Sequence, residues 1–341
     1  MHRHRAFLIA AALLACVAAT QACAAVFCVA TPLALSQAML TAENNAQDDT
    51  IRLVVGTYAL SSEIDYYADV GETYKLTILG GFDPGCASGS AAADATVIDG
   101  QDATRIFTIS ARGEVDIGRI TFAHAKPAQY LGGALSVATT AGDIYLFRNV
   151  FAVNQAPSGA GGGALYIQVP AAHSGYLWNN LFLANTSSGG GAVSAYNLGN
   201  MYITGNTVVA NSLFNHTGIG GGLDIAGSGH YWLTNNILWD NENTDVYDQS
   251  GHTDYANNDL GTKDGLAPLS ESNELNVNPG FLGIFSFLPG PTSPLVNAGN
   301  DAAPGGIGGC CDASGGPRKL GMHVDIGAYE VDLVFRDSFG T

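Results

Sequence analysis

Five segments in the middle of the chain share one frame around an apolar residue: four have Asn two places before it and Asn three places after it, and the first has Ile and Ala there. The apolar residues are Phe122, Phe151, Phe182, Val208 and Leu238, separated by 29, 31, 26 and 30 residues. The −2 column reads Ile120, Asn149, Asn180, Asn206 and Asn236, and Asn258 before Leu260 continues it. The +3 column reads Ala125, Asn154, Asn185, Asn211 and Asn241. Between the frames, Gly pairs open short apolar runs: Gly132-Gly133-Ala134-Leu135, Gly162-Gly163-Ala164-Leu165, Gly190-Gly191-Ala192-Val193 and Gly221-Gly222-Leu223. A period of about 20–50 residues built from strand-sized pieces and turn residues signals a solenoid, because no single repeat can bury its own apolar face.

Within each repeat, positions −7 and −5 are Val115/Ile117, Ile144/Leu146, Gly175/Leu177, Met201/Ile203 and Tyr231/Leu233. They alternate with −6 and −4, the period of a strand with one buried face. The −2 Asn is expected in a turn, since Asn tolerates left-handed backbone. Stacked at equivalent turns, Asn149, Asn180, Asn206 and Asn236 would form an amide ladder, with the Phe residues stacked inside and parallel strands about 4.8 Å apart. The outward positions are aromatic: Tyr145/Phe147, Tyr176/Trp178, Tyr202 and Trp232. Two readings follow. Residues 281–288, apolar almost throughout, fold over this strip, or the strip is a ligand-binding face.

Gly makes up 44 of 341 residues, against an average near 7%. Its fixed places mark turn chemistry rather than a flexible linker. Residues 1–25 have the make-up of a secretory signal, with Arg3 and Arg5, an apolar stretch from Ala6 to Val17, and Ala22-Cys23-Ala24 as a cleavage site. A lipoprotein box around Cys16 is the weaker alternative. Removing the signal takes away two Arg and no acid, moving the net charge from −17 to about −19. Such a surface disfavours nucleic acid, anionic lipid and polyanionic sugars, and admits neutral glycans, cationic partners and calcium. Cys28, Cys86, Cys310 and Cys311 remain after cleavage. An even number in an exported chain suggests disulfides, Cys28 with Cys86 tying the N-terminal end and Cys310-Cys311 as a vicinal bridge or two thiols. Near the N-terminus, Pro32 and residues 33–40 read as a short capping helix, with strands expected at residues 50–55, 74–80 and 96–98.

The alternation of Gly-Gly-Ala-Leu/Val with Phe151-Ala152-Val153-Asn154 and Phe182-Leu183-Ala184-Asn185 resembles the GGA(I/L/V) and FxxN repeats of polymorphic outer-membrane proteins. More broadly it is similar to the right-handed parallel β-helix, or pectin-lyase-like, superfamily. Near the end stand Ser293-Pro294-Leu295-Val296-Asn297-Ala298-Gly299, Asp312, Gly316-Pro317-Arg318 and Asp325-Ile326-Gly327-Ala328-Tyr329-Glu330. They resemble the closing pattern of choice-of-anchor Q domain proteins, exported bacterial β-helices, with Asn297 where the pattern has Asp. The resemblance implies an all-β, right-handed single-stranded parallel β-helix over residues 50–330. It is preceded by a signal (1–25) and a helical cap (26–49), closed at the far end by residues 325–330, and followed by a tail (331–341). It implies export to the cell surface, outer membrane or medium of a bacterium, and leaves activity open, because this fold hosts lyases, hydrolases and adhesins alike.

Catalytic constellations are sparse. Only four Lys and seven Arg follow the signal. Arg119 and Arg148, both at −3, read as a solvated face. Asn243-Thr244-Asp245 matches a polygalacturonase tripeptide, but the later motifs of that enzyme class do not follow. Seven Asp and Glu residues between 240 and 264 lack the spacing of a calcium loop, so the metal remains unknown. His124, His173, His216, His230 and His252 have no i, i+4 partner and read as loop residues. The expectation is a monomeric, non-enzymatic, adhesin-like or glycan-binding module for a neutral polysaccharide or a cell-surface protein, with no transmembrane span and no cofactor beyond admissible calcium. A polysaccharide lyase or glycoside hydrolase is the alternative, and a purely structural envelope protein is a third. The ligand residues would be Tyr145, Phe147, Tyr176, Trp178, Tyr202 and Trp232.

Overall fold

The computed structural model describes residues 24–332 apart from 70, 90, 91, 217, 284 and 285. The expected signal sequence, except its last two residues, and most of the tail lie outside the described residues. The chain winds as a parallel β-solenoid of about eight turns, each contributing one strand to each of three sheets. Sheet 1 has ten strands, including Ile144–Phe147, Ser174–Trp178, Asn200–Thr204 and His230–Thr234. Sheets 2 and 3 have eight each, represented in one coil by Leu181–Leu183 and Val193–Asn197. Equivalent residues pair in register from coil to coil, Tyr145 with Tyr176 and Tyr176 with Tyr202. This register puts the −7 and −5 residues in one continuous core with Phe122, Phe151 and Phe182, whose rings stack at 4.8 Å.

Two amide columns line the inner corners. Asn180 donates from its backbone N and Nδ2 to Asn206 Oδ1, and from Nδ2 to Leu146 O; its own Oδ1 accepts from Asn149. Asn154, Asn185, Asn211 and Asn241 repeat the arrangement at the +3 corner. The side chains are buried, and the left-handed residue of each corner is the one before the Asn. Arg148, Asn179 and Asn235 precede one column, and Val153, Ala184 and Ala210 the other, all at φ between 51° and 59°. The expected turn role of Asn is therefore replaced by a larger one: its amide pairs backbone groups of two neighbouring coils that would otherwise be buried unsatisfied.

Carboxylates end both columns. Asn241 donates to Asp245, and Asn258 donates to Glu274. The Asp of the polygalacturonase-like tripeptide is thus buried structural material. In three of the Gly pairs the first residue supplies positive φ (Gly132 77°, Gly162 73°, Gly190 59°), Gly220 does so before Gly221-Gly222, and a Cβ on Gly133 or Gly163 would overlap a carbonyl oxygen of the next coil.

The helix Pro32–Ala42 is capped by Thr31, which accepts from Ala34 N, and lays Leu35, Ala38 and Met39 on the core. Ahead of it an unforeseen strand, Ala25–Val29, pairs with Asp49–Val54 and extends sheet 1. Cys28 is bonded to Cys86 and Cys310 to Cys311.

Two expectations about the C-terminal part need correction. Phe281–Gly283 and Ser286–Pro289 form a hairpin over the outside of sheet 2, where Phe287 packs on Leu181 and Val209; they do not cover the aromatic strip. Residues 325–330 do not close the end of the solenoid. They lie on its flank, Ala328 N donating to Thr207 Oγ1 and Gly327 N to Asn235 O. The physical reason is that residues 297–330 run back along the corner between sheets 1 and 2 as a strap. Asn257 donates to Ala298 O, Asn235 exchanges hydrogen bonds with Asn300, and Asn179 reaches the carbonyls of Gly308 and Cys311. Arg318 locks the strap: fully buried, it donates to the Glu330 carboxylate and to Asp325 O and Gly327 O. Asp312 receives Glu330 N and Gly316 N, and Asp325 receives Asn297 N. The last coil instead ends in the exposed strands Lys263–Gly265 and Ser270–Ser272.

Candidate functional site

Sheet 1 turns its second face outward, and the in-register −6 positions there form one column: Asp116, Tyr145, Tyr176, Tyr202, Trp232, Asp254. The four rings stack at 4.5, 5.0 and 4.7 Å with interplanar angles of 15° or less. His230 lies parallel to Trp232 at 3.8 Å. Stacking occupies the ring faces, so each ring offers its half-exposed edge to solvent. Burial, then neighbouring Tyr176 and Asp143, raise the Tyr145 and Tyr202 phenols above their ordinary range, which keeps them protonated donors.

Phe147 and Trp178 stand in a neighbouring column. Phe147 lies over Gly118, where any Cβ would strike its ring. Trp178 tilts against Tyr145 and Tyr176. Its Nε1 is buried with no partner, and Gly308 of the strap stands beside its Cβ. Gly305 abuts the ring of Tyr202. The strap thus borders the strip on one side, and the six expected ligand residues, all half-buried, divide into a stacked column of four and two rings beside it.

The corner arginines do not form the solvated face expected of them. Arg119 lies 4.8 Å from the Phe82 ring centroid and Arg148 5.3 Å from that of Phe147, each half-buried. Burial, joined at Arg119 by Arg148 and Arg52, lowers that guanidinium, which remains charged.

On the other side of the strip run polar groups that helical spacing did not reveal. His173 Nδ1 sits 3.2 Å from Asp143, which also accepts from Ser174 N. His230 Nε2 meets Asp254 at 2.8 Å, and Asp254 accepts from Ser270. Away from the strip, on the corner beyond sheet 2, His124 pairs with Asp99 and His216 with Glu242 in the same manner. These partners are separated by 24 to 30 residues, one coil apart, so the solenoid period was the signal that would have found them. At the strip's lower end Lys75 bridges Glu114 and Asp116.

Among the described residues no group of three His, Cys, Asp or Glu is placed to hold a metal ion, and no helix is long and apolar enough to cross a membrane. A shallow amide-lined cleft of about 500 Å³ opens where the strap meets Asn257 and Asn273. No protein-family model matches the chain, and neither a curated protein nor a solved structure matches it.

Proposed function

We propose that this solenoid is exported and that sheet 1 binds an extended neutral carbohydrate, as an adhesin-like module of the cell surface or medium. The observation that carries the reading is the uninterrupted column Tyr145–Tyr176–Tyr202–Trp232, whose rise repeats every 4.5 to 5.0 Å. A linear polymer lying along the axis meets the same group at each step. Because the ring faces are stacked on one another, recognition runs through phenol hydroxyls and the flanking Ser174, Asn200 and His230 rather than through sugar–ring stacking. The acidic net charge of −17 disfavours uronic acid polymers. The Cys28–Cys86 disulfide supports an oxidising compartment, and the first strand starts at Ala25, beside the expected cleavage site.

The test is a glycan array of the purified protein, with Tyr176→Phe and Tyr202→Phe in parallel. These substitutions remove hydroxyls and preserve the stack. Retention of a neutral glycan that weakens in both variants supports the reading. Unchanged retention in both, or no glycan retained at all, refutes it. Release of reducing sugar by the unmodified protein would move the assignment to a lyase or hydrolase.

A further inference from the structure

Near the N-terminal end and away from the aromatic column, Tyr67 on sheet 3 and Tyr130 on a loop remain open. Tyr67 is 53% exposed and Tyr130 76% exposed, in contrast to the half-buried strip. Both line a cavity of about 360 Å³ whose floor carries Glu63, Asp65 and the hydroxyls of Thr108 and Ser136. A second cavity of about 240 Å³ adjoins it and shares Glu63, Arg105 and Tyr130.

The cavity is braced. Arg105 is 2% exposed and donates to Glu63 at 2.8 Å, to Gly132 O at 2.7 Å and to Gln129 O at 2.6 Å. One buried guanidinium therefore ties the loop that carries Tyr130 to the coil beneath it, and neutralises Glu63 in doing so. Thr108 also donates to Glu63. The Asp65 carboxylate has no hydrogen-bond partner among the described residues; it is exposed, and partial burial and then Glu63 raise it while Arg105 acts in the opposite direction. Two carboxylates against one cation leave the cavity with an unbalanced negative charge beside two exposed phenol rings. That combination attracts a cation whose surface is partly apolar, since ring quadrupole and carboxylate act in the same direction.

We infer that the cavity bounded by Asp65, Tyr67 and Tyr130 binds an alkylated ammonium group of a small molecule or side chain. The trimethylammonium head is the fitting probe, because its methyls pack on the phenol rings while its charge faces Asp65. Neutral sugars would use the rings and leave the charge of Asp65 uncompensated. The site is independent of the sheet 1 reading, and either can fail alone.

Titration calorimetry of the purified protein with choline tests it, alongside the uncharged isostere in which a tert-butyl group replaces trimethylammonium. The expected result is saturable choline binding, weakened about tenfold or more by Tyr67→Ala, Tyr130→Ala or Asp65→Asn, with the isostere about tenfold weaker than choline. All three side chains are exposed, so the variants fold, and unchanged melting temperatures check this. Trp232→Ala on the far column leaves choline binding unchanged. Absence of saturable binding, equal affinity for the isostere, or full affinity in Asp65→Asn would each overturn the proposal.

Discussion

Asn180 and Tyr176 lie four residues apart on one coil, and each is a rung in a column that repeats with the solenoid's rise. Inside, every amide hydrogen of Asn180 is donated and its oxygen receives two. Outside, Tyr176 is held by ring contacts at 4.5 and 5.0 Å, and nearby Trp178 Nε1 and Thr204 Oγ1 are buried without partners. Buried polar groups carry a desolvation cost unless satisfied, so the interior of the inner column specifies register, and apolar residues stand only at its first rung, Ile120 and Ala125. The outer column is fastened by dispersion and can change chemistry from rung to rung, as it does from Asp116 through Tyr145 to Trp232. Identical spacing therefore fixes the register on one face and leaves the chemistry of each rung variable on the other.

The strongest way to break this contrast is Asn180→Leu. It removes the partner of Leu146 O, Asn149 N and one Asn149 amide hydrogen together, while Asn206 Oδ1 keeps the backbone N–H of residue 180, at a cost of about 3–5 kcal/mol in urea unfolding. A loss below about 1 kcal/mol would mean that the amide column is dispensable.

A second test titrates the column's end. Burial pushes Glu274 from 4.5 up to about 7 and Asp259 from 3.8 up to about 6. In the strap, burial also raises Glu330 to about 7, even beside Arg318. Each folded carboxyl holds its proton more tightly than the unfolded one. The stabilisation is thus complete below the unfolded values and lost as pH rises through about 6 to 7. Melting temperature should be higher near about pH 5 than near about pH 8, by the equivalent of about 2–3 kcal/mol from Glu274 at most. Glu274→Gln should flatten part of that slope; an unaltered profile would place the proton elsewhere.

The smallest effects belong outside. Trp232→Ala should cost about 1 kcal/mol, and Tyr202→Phe less than about 0.5 kcal/mol, in the same unfolding assay. Losses as large as that of Asn180→Leu would show the outer column to be a second core.

Much of this architecture was legible because the solenoid writes its period into the chain. Asn columns, Phe stack and strand alternation all recur at one spacing, and the fold follows from them. The coil-to-coil pairs of His173 with Asp143 and His230 with Asp254 escaped, since a helical spacing was sought where the coil length was the relevant interval. Glu274 was illegible as a terminator because it stands 16 residues after Asn258, off the repeat. The strap's course was equally hidden. Residues 297–330 carry no period, and their path depends on which corners leave carbonyl and amide groups to meet. The open pair Tyr67 and Tyr130 lies outside the repeat frame, on a strand and on a loop that sequence periodicity does not connect.

The strap has a consequence for how the molecule comes apart. A stack whose layers touch only their neighbours behaves as a one-dimensional chain of weakly coupled units, free to fray from either end. Contacts from Ala298 on Asn257 to Cys311 on Asn179 join layers that are otherwise several steps removed. Fraying of the later layers must then wait for the whole tie to release, which turns a gradual unzipping into one cooperative event. The same long-range closure slows assembly, because those contacts form only after all the intervening layers exist.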